Sequence, residues 1–248
     1  MISRTFQAAT VLMALSAASL AADEGFKTLF DGKSGTGWKI NTGGDLPKAN
    51  VQPDGLNPHG SGGYIVMYEK PFGDCILDFD YKISKGCNSG VFLRVGDPKD
   101  PVYTGLEIAI DDTTGTGMHD SGAFYDLVAP TKNAQKPVGE WNHMTITAKG
   151  PKISIVLNEE KVSEIDLSKF TETGKRPDGT PHKFDKVKIA DFNRPGFLGF
   201  QDHGQDCWYK NVKVKRIGFT VPPSSGRHRL GAGPSRRSRR NPLERGPR

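Results

Sequence analysis

Alternation of apolar and polar residues with a period of two is the feature that most restricts the fold of this chain. In residues 75–83 every second side chain is apolar, and residues 89–95 and 106–111 repeat the pattern. This period is typical of a β-strand with one buried face. Further strands are predicted over 142–149, 152–158, 197–201 and 208–215, the last with Trp208, Val212 and Val214 on one side.

Turn residues separate these strands at short intervals, and Asn158-Glu159-Glu160 is predicted to close a hairpin. Eight or more short strands lie between residues 26 and 217. We therefore expect an all-β domain over residues 22–218 in which two sheets pack together, as a sandwich or a jelly roll.

The N-terminus has the layout of a secretory signal. Arg4 precedes an apolar stretch over residues 8–20, which ends in the small residues Ser19, Ala21 and Ala22. A signal peptide is predicted over residues 1–21, and with it a secreted or periplasmic protein. Beyond it no apolar run approaches the roughly 18 to 20 residues of a spanning helix, so no transmembrane segment is predicted.

The net charge of +6 is concentrated at the C-terminus, where residues 219–248 hold eight arginines and one acidic residue, Glu244. This segment has no apolar periodicity and is rich in Pro, Gly and Ser, so we expect it to be disordered. It is either an arm that contacts a polyanion, a solvated appendage, or a gene-model error. The body does not interleave basic and aromatic residues on its strands, so no nucleic-acid partner is expected.

The three cysteines, Cys75, Cys87 and Cys207, are odd in number and show no CxxC spacing. They predict neither a disulfide framework nor a structural zinc site. We expect each to be a small buried hydrophobe.

Polar residues that alternate with core positions must point away from the core. Arg94, Glu107, Asp111 and Gln201 alternate in this way and are predicted to share one outer face. Phe92 is predicted on the same side, where an exposed aromatic ring would stack on a sugar. For each residue alone, a solvated sheet face is an equal alternative.

The spacing of the two carboxylates on this face limits the chemistry. Glu107 and Asp111 are four strand residues apart, which is about 13 Å. Conventional glycosidases hold their carboxyls at roughly 5 to 9.5 Å, so this strand alone does not supply a retaining pair.

Three of the six histidines fall in predicted loops or strand ends, namely His119, His182 and His203. Histidine suits proton transfer near neutral pH and metal binding, although a loop histidine is often only a surface residue. His203 is the best placed, since it follows the strand that carries Gln201. HExxH, P-loop, GxSxG and dinucleotide motifs do not occur.

Several segments in order resemble the 3-keto-disaccharide hydrolase domain family. They are FKTLFDGK (26–33), GW (37–38), NSGVFLR (88–94), LEIAIDD (106–112), GAFY (122–125), KPVGEWN (136–142) and PGFLGFQDHG (195–204). The resemblance implies a jelly roll of the concanavalin A-like lectin/glucanase type. It also implies a carbohydrate substrate, a glycoside already oxidised at C3, whose glycosidic bond is cleaved by elimination followed by hydration.

The resemblance also suggests roles for the residues predicted above. His203 or Asp111 would be the base, and Arg94, or a divalent metal ion held by Glu107 and His119, would stabilise the enolate. Tyr125, Lys132 and Gln201 would orient substrate hydroxyls, with His119 and Phe92 also in the substrate site. Two departures stand out: Ala109 replaces the Gln of the family's EIQILD strand, and Asp206-Cys207 replaces a more apolar pair before Trp208.

Two other classes of function remain open. The same face could bind a glycan without turning it over, as a lectin-like module does, because jelly rolls serve both purposes. The chain could also be a scaffolding protein of the cell envelope that works through its basic tail.

Overall fold

The computed structural model describes residues 25–218, and this part of the chain folds into two antiparallel β-sheets. The predicted signal peptide and the predicted tail lie outside the described residues. The strands are β1 Lys27–Phe30, β2 Trp38–Ile40, β3 Val51–Gln52, β4 Gly55–Leu56, β5 Ile65–Tyr68, β6 Cys75–Ile83, β7 Asn88–Val95, β8 Leu106–Asp111, β9 Asn142–Lys149, β10 Lys152–Leu157, β11 Glu160–Asp166, β12 Phe197–Gln201 and β13 Cys207–Arg216. The short helical segments are α1 Pro101–Thr104 and the 3-10 turns Lys48–Asn50, Leu167–Lys169 and Ile189–Phe192.

The larger sheet has eight strands in the order β11-β10-β9-β6-β13-β4-β3, and β1 also pairs with β13. The smaller sheet has the order β2-β5-β12-β7-β8. The prediction of a nearly all-β, two-sheet jelly roll is confirmed. Within residues 25–218, none of the helices has the length and apolar character needed to cross a bilayer.

The core between the sheets is largely aromatic. The rings of Phe200 on β12 and Tyr209 on β13 stack at 3.8 Å between centroids, and Phe79 on β6 packs against both. Trp38 is buried, and its indole nitrogen donates to the Leu29 carbonyl at 2.9 Å, which ties an edge of the smaller sheet to β1. Truncating Phe200 to alanine would cost about 3 to 5 kcal/mol, as for large buried aromatics generally.

A bulge in β13 changes which side chains face the core. The register with β6 shifts between Lys210 and Lys213, and Asn211 adopts a positive φ of 52°. As a result Val212 and Val214 are buried, whereas Trp208 stands on the outer face beside Lys82. The prediction that Trp208, Val212 and Val214 share one side is wrong, because the extra residue reverses the alternation.

Other local predictions are confirmed. Asn158 and Glu159 both have positive φ and connect β10 to β11 in a tight hairpin. Cys75, Cys87 and Cys207 are free and buried.

Candidate active site

The candidate site lies on the outer face of the smaller sheet, around Glu107 of β8. Glu107 is almost completely buried, and Gln201 of β12 donates from its amide nitrogen to the Glu107 carboxylate at 3.4 Å. Strand β7 lies between β8 and β12. The contact is possible because β7 carries Gly90 here: a Cβ on Gly90 would lie 3.0 Å from the Glu107 Oε1 atom. The structure thus brings Glu107 and Gln201 together, as the strand alternation predicts.

Burial controls the ionisation of Glu107. It raises the pKa of this carboxyl to about 7, while the positive charge of Lys183 and the hydrogen bond from Gln201 act in the opposite direction. Both protonation states are therefore populated near neutral pH. A carboxyl with such a pKa can accept a proton in one step and return it in another.

Tyr64, immediately before β5, is a site residue that the sequence did not reveal. Its hydroxyl accepts a hydrogen bond of 2.6 Å from the Gln201 amide nitrogen, and 38% of the residue is exposed. Burial of the hydroxyl, together with the charge of Glu107, raises the pKa of Tyr64 to about 12, so this group stays a neutral donor. Tyr64 lies in a glycine-rich turn outside any periodic segment, which is why alternation did not find it.

Phe92 lies on the predicted side of β7, but it is fully buried rather than exposed. It packs in a small apolar cluster with Ile65, Met67 and Val95, against which Val102 of α1 also packs. The ring centroids of Tyr64 and Phe92 are 6.2 Å apart, with the rings in an edge-to-face arrangement. The prediction that Phe92 offers an exposed ring to a sugar is therefore wrong, and Tyr64 is the exposed aromatic residue here.

A loop forms the wall of the site beyond β8. The Tyr125 amide donates to the Glu107 carbonyl at 2.9 Å, which fixes this loop along the edge of the sheet. The His119 ring stacks on Tyr125 at 4.5 Å, and the Lys183 ammonium lies 4.0 Å from the Tyr125 ring centroid. Lys183 comes from the long loop after β11 and was not predicted.

Asp111 and His203 lie at the end of this face. Burial raises the pKa of Asp111, and the neighbouring Asp120 and Asp112 add to the shift. The charges of His119 and His203 act in the opposite direction. His203 is exposed, in the loop between β12 and β13, with its ring 6.5 Å from that of Tyr64.

The floor between Glu107 and Asp111 is made of small residues. Ala109 is paired with Gly90 on β7, and its amide donates to the Ala123 carbonyl at 3.0 Å. Position 109 therefore contributes no polar side chain to this face. It is one of the two places at which the sequence departs from the family it resembles.

Arg94 does not share this face, so its predicted placement is wrong. Arg94 has a positive φ of 55°, and the pairing of β7 with β12 shifts register beside it. This bulge turns the guanidinium toward the larger sheet, where it donates to the Gly150 carbonyl at 2.8 Å and lies 3.4 Å from Asp74. Arg94 is 4% exposed and joins the two sheets, away from Glu107.

Two further candidates also lie elsewhere. Lys132 forms an ion pair with Glu160 of β11, in the larger sheet, and is not brought to Glu107. His182 is buried, and its Nδ1 atom accepts a hydrogen bond of 3.2 Å from the Phe184 amide.

The residues around Glu107 do not form a ready metal site. Within residues 25–218 no three His, Cys, Asp or Glu side chains are grouped closely enough to hold a metal ion. The nearest acidic partner of His119 is Asp126, 3.7 Å from its Nε2 atom, and the polar partner of Glu107 is Gln201. Glu107 and His119 therefore do not fit the metal-holding role suggested for them.

The chain is similar to known proteins over most of its length. Residues 25–215 match the family described as the 3-keto-alpha-glucoside-1,2-lyase-like domain. A 3-keto-disaccharide hydrolase of Bacteroides thetaiotaomicron is 28% identical over 233 residues, covering 77% of this chain and 78% of the relative.

Two crystal structures of candidate glycosyl hydrolases from Parabacteroides distasonis ATCC 8503 share the fold. One is 26% identical with a TM-score of 0.65, and the alignment covers 79% of this chain and 96% of the other. The second is 29% identical with a TM-score of 0.60, covering 73% of this chain and 99% of the other.

Proposed function

The chain belongs to the 3-keto-alpha-glucoside-1,2-lyase-like domain family, and on that premise we propose that it cleaves glycosides oxidised at C3. The observation that carries the proposal is the Glu107 carboxyl. It is nearly buried, has a pKa of about 7, and lies beside Gln201, which in turn binds the exposed Tyr64. This is an arrangement suited to moving one proton to and from a bound sugar.

The proposed chemistry needs one base. The C3 ketone acidifies the proton on C2, and the Glu107 carboxylate removes it, leaving the electron pair as a C2–C3 enolate. When the ketone re-forms, the C1–oxygen bond breaks, a C1–C2 double bond forms, and the aglycone oxygen takes up a proton. Water then adds its oxygen to C1 and a proton to C2, so the net reaction is hydrolysis. A second carboxylate close to the first is unnecessary, which suits the spacing of Glu107 and Asp111.

Lys183 is the cation we assign to the enolate. Its charge acts on Glu107, and its ammonium lies over the Tyr125 ring at the wall of the site. A positive charge near the C3 oxygen stabilises the negative charge that develops there in the transition state. Lys183 thus takes the role that the sequence suggested for Arg94.

Asp111 and His203, the bases suggested by the sequence, lie at the end of the same face. We assign them to the leaving group, with His203 donating the proton to the aglycone oxygen and the negative charge of Asp111 stabilising the protonated imidazole of His203. Tyr64 provides the exposed aromatic ring and hydroxyl for the sugar, and Gln201 holds that hydroxyl in place.

The experiment that tests the proposal is aglycone release from a set of 3-keto-glucosides and the matching unoxidised glucosides. The wild-type chain is expected to act only on the keto substrates, and Glu107→Gln is expected to lose this activity. Glu160→Gln, which alters an exposed glutamate paired with Lys132, is the matched control. Measurable glycan binding by the wild-type chain without any release would instead establish a lectin-like module.

A further inference from the structure

Two of the three cysteines meet where the sheets join. Cys87 precedes β7 of the smaller sheet, and Cys207 is the first residue of β13 in the larger sheet. Each is 1% exposed. The Cys87 amide donates to the Ser84 carbonyl at 3.2 Å, and Cys207 is paired with Ile83, the residue before Ser84. The Ser84 amide donates to the Asp206 carbonyl at 3.0 Å, which holds the two backbones side by side next to the thiols.

The third cysteine is at the far end of the same strand pair. Cys75 is paired with Arg216, whereas Cys207 is paired with Ile83 at the other end of β6. Eight strand steps separate Cys75 from Ile83, which is roughly 26 Å. The thiols of a disulfide need Cα atoms within about 7 Å, so Cys75 does not reach either of the others in the folded chain.

We propose that Cys87 and Cys207 form a disulfide when the chain folds in the presence of a disulfide oxidant, such as oxidised glutathione. A thiolate of one cysteine attacks the oxidant and forms a mixed disulfide, releasing one thiol. The second cysteine then attacks the mixed disulfide and releases the second thiol. The two cysteines lose two protons and two electrons, and the oxidant becomes two thiols.

The burial of Cys87 and Cys207 determines whether they are oxidised during folding or afterwards. The hydrogen bond with Cys207, together with burial, raises the pKa of Cys87, so the folded chain offers little thiolate for attack. Oxidation therefore belongs to folding, before the two sheets close over the thiols. For the same reason the finished disulfide is protected from external reductants.

A disulfide between Cys87 and Cys207 would restrict the movement of one loop of the candidate site. The loop of residues 202–206, which carries His203, is held by β12 at one end and ends at Cys207. The Cys87 carbonyl accepts a 2.8 Å hydrogen bond from the Asp112 amide, next to Asp111. A disulfide across the long chain segment between residues 87 and 207 also restricts the unfolded state, which raises thermal stability.

The test is a thiol count on the full chain, refolded from denaturant in a glutathione redox buffer and then unfolded in acid and alkylated. We expect one alkylated cysteine, Cys75, and a linked pair of peptides containing Cys87 and Cys207 by mass spectrometry. Prior reduction should give three alkylated cysteines and a lower melting temperature.

Two variants complete the test. Cys75→Ala should keep the linked peptides and leave no alkylated cysteine, whereas Cys87→Ala should lose the linked peptides. Because the chains are unfolded before alkylation, the count includes buried thiols as well as exposed ones, and circular dichroism of each refolded variant shows that it has folded. Three alkylated cysteines in the oxidised wild-type chain, or a linked peptide that contains Cys75, would overturn the proposal.

Discussion

The side-chain amide of Gln201 reaches the carboxylate of Glu107 across a whole β-strand, at 3.4 Å. The strand between them, β7, carries Gly90 at this place, and the Glu107 side chain occupies the space that a side chain at position 90 would need. The position of the Glu107 carboxylate therefore depends on the absence of a side chain at Gly90 of the neighbouring strand.

Replacing Gly90 with alanine should disturb the site more than the fold. The new Cβ would lie 3.0 Å from both Cγ and Oε1 of Glu107. Misplacing a reacting group by about 1 Å can cost on the order of 100-fold in rate, so kcat/KM for a 3-keto-glucoside should fall by about 10- to 100-fold. Gly73→Ala is the matched control, because the nearest atom to its Cβ would be 3.7 Å away. Equal activity of the two variants would contradict this account of Gly90.

The activity should depend on pH through Glu107. The carboxylate is the base, and its pKa is raised to about 7, so kcat/KM should rise as the pH increases through this value. Removing a general base costs about 100- to 10,000-fold, which sets the expected loss in Glu107→Gln. Kinetics from pH 5 to 9 would show both effects. A flat profile in the wild-type chain would rule out Glu107 as the titrating base.

The raised pKa of Glu107 also makes stability depend on pH, but stability falls with rising pH where the activity rises. Between about pH 4.5 and pH 7 the folded chain retains a proton on Glu107 that the unfolded chain has released. The free energy of unfolding therefore decreases as the pH rises through this window, by about 3 kcal/mol in total. Glu107→Gln removes this dependence and should be more stable than the wild-type chain at pH 8. Denaturant unfolding of both proteins at pH 5 and pH 8 would measure the difference.

Arg94 should be a structural residue rather than a catalytic one. Its guanidinium is buried against Asp74, Gly150 and Asn193, so Arg94→Met would leave buried polar groups without partners. Breaking such a network costs about 3 to 5 kcal/mol. At a temperature where the variant is folded, kcat should stay within a few-fold of the wild-type value. A stable variant that has lost its activity would restore the catalytic role suggested by the sequence.

A second pH effect should arise on the outer face of the larger sheet. Hydrogen bonds to Asp78 and Asp80 raise the pKa of His143 to about 9. Its contribution to stability is complete below pH 6.5, the ordinary pKa of histidine, and is lost as the pH rises through 9. The melting temperature of the wild-type chain should therefore fall more between pH 7 and pH 10 than that of His143→Gln. The effect should be small because His143 is half exposed, and identical slopes would contradict it.

The strand alternation was sufficient to predict the two-sheet fold and the shared face of Glu107 and Gln201. It placed Glu107 and Gln201 on one face, because β8 and β12 run without interruption up to these residues. The alternation failed where a bulge inserts a residue, at Arg94 in β7 and at Asn211 in β13. Both residues have positive φ, and for residues other than glycine the sequence does not indicate this conformation.

The remaining site residues come from loops. Tyr64 and Lys183 lie outside the strands, so no periodicity indicates which way they point. The burial of Phe92 depends on Val102 and Phe197, which come from other parts of the chain and cover it only in the folded protein. Tertiary contacts of this kind are set by packing, and a local pattern does not contain them.

The position of deuterium after cleavage in D2O tests the central claim most directly. Elimination and hydration remove the C2 proton and replace it from solvent, so a 3-keto-glucoside cleaved by the wild-type chain should give a sugar that carries deuterium at C2. Brief incubation and a sample without protein control for spontaneous exchange, and Glu107→Gln should give neither cleavage nor enzymatic exchange. A cleaved sugar that keeps its original hydrogen at C2, together with an unchanged rate for a substrate deuterated at C2, would contradict the account, because it would show that the bond between C2 and its hydrogen is not broken.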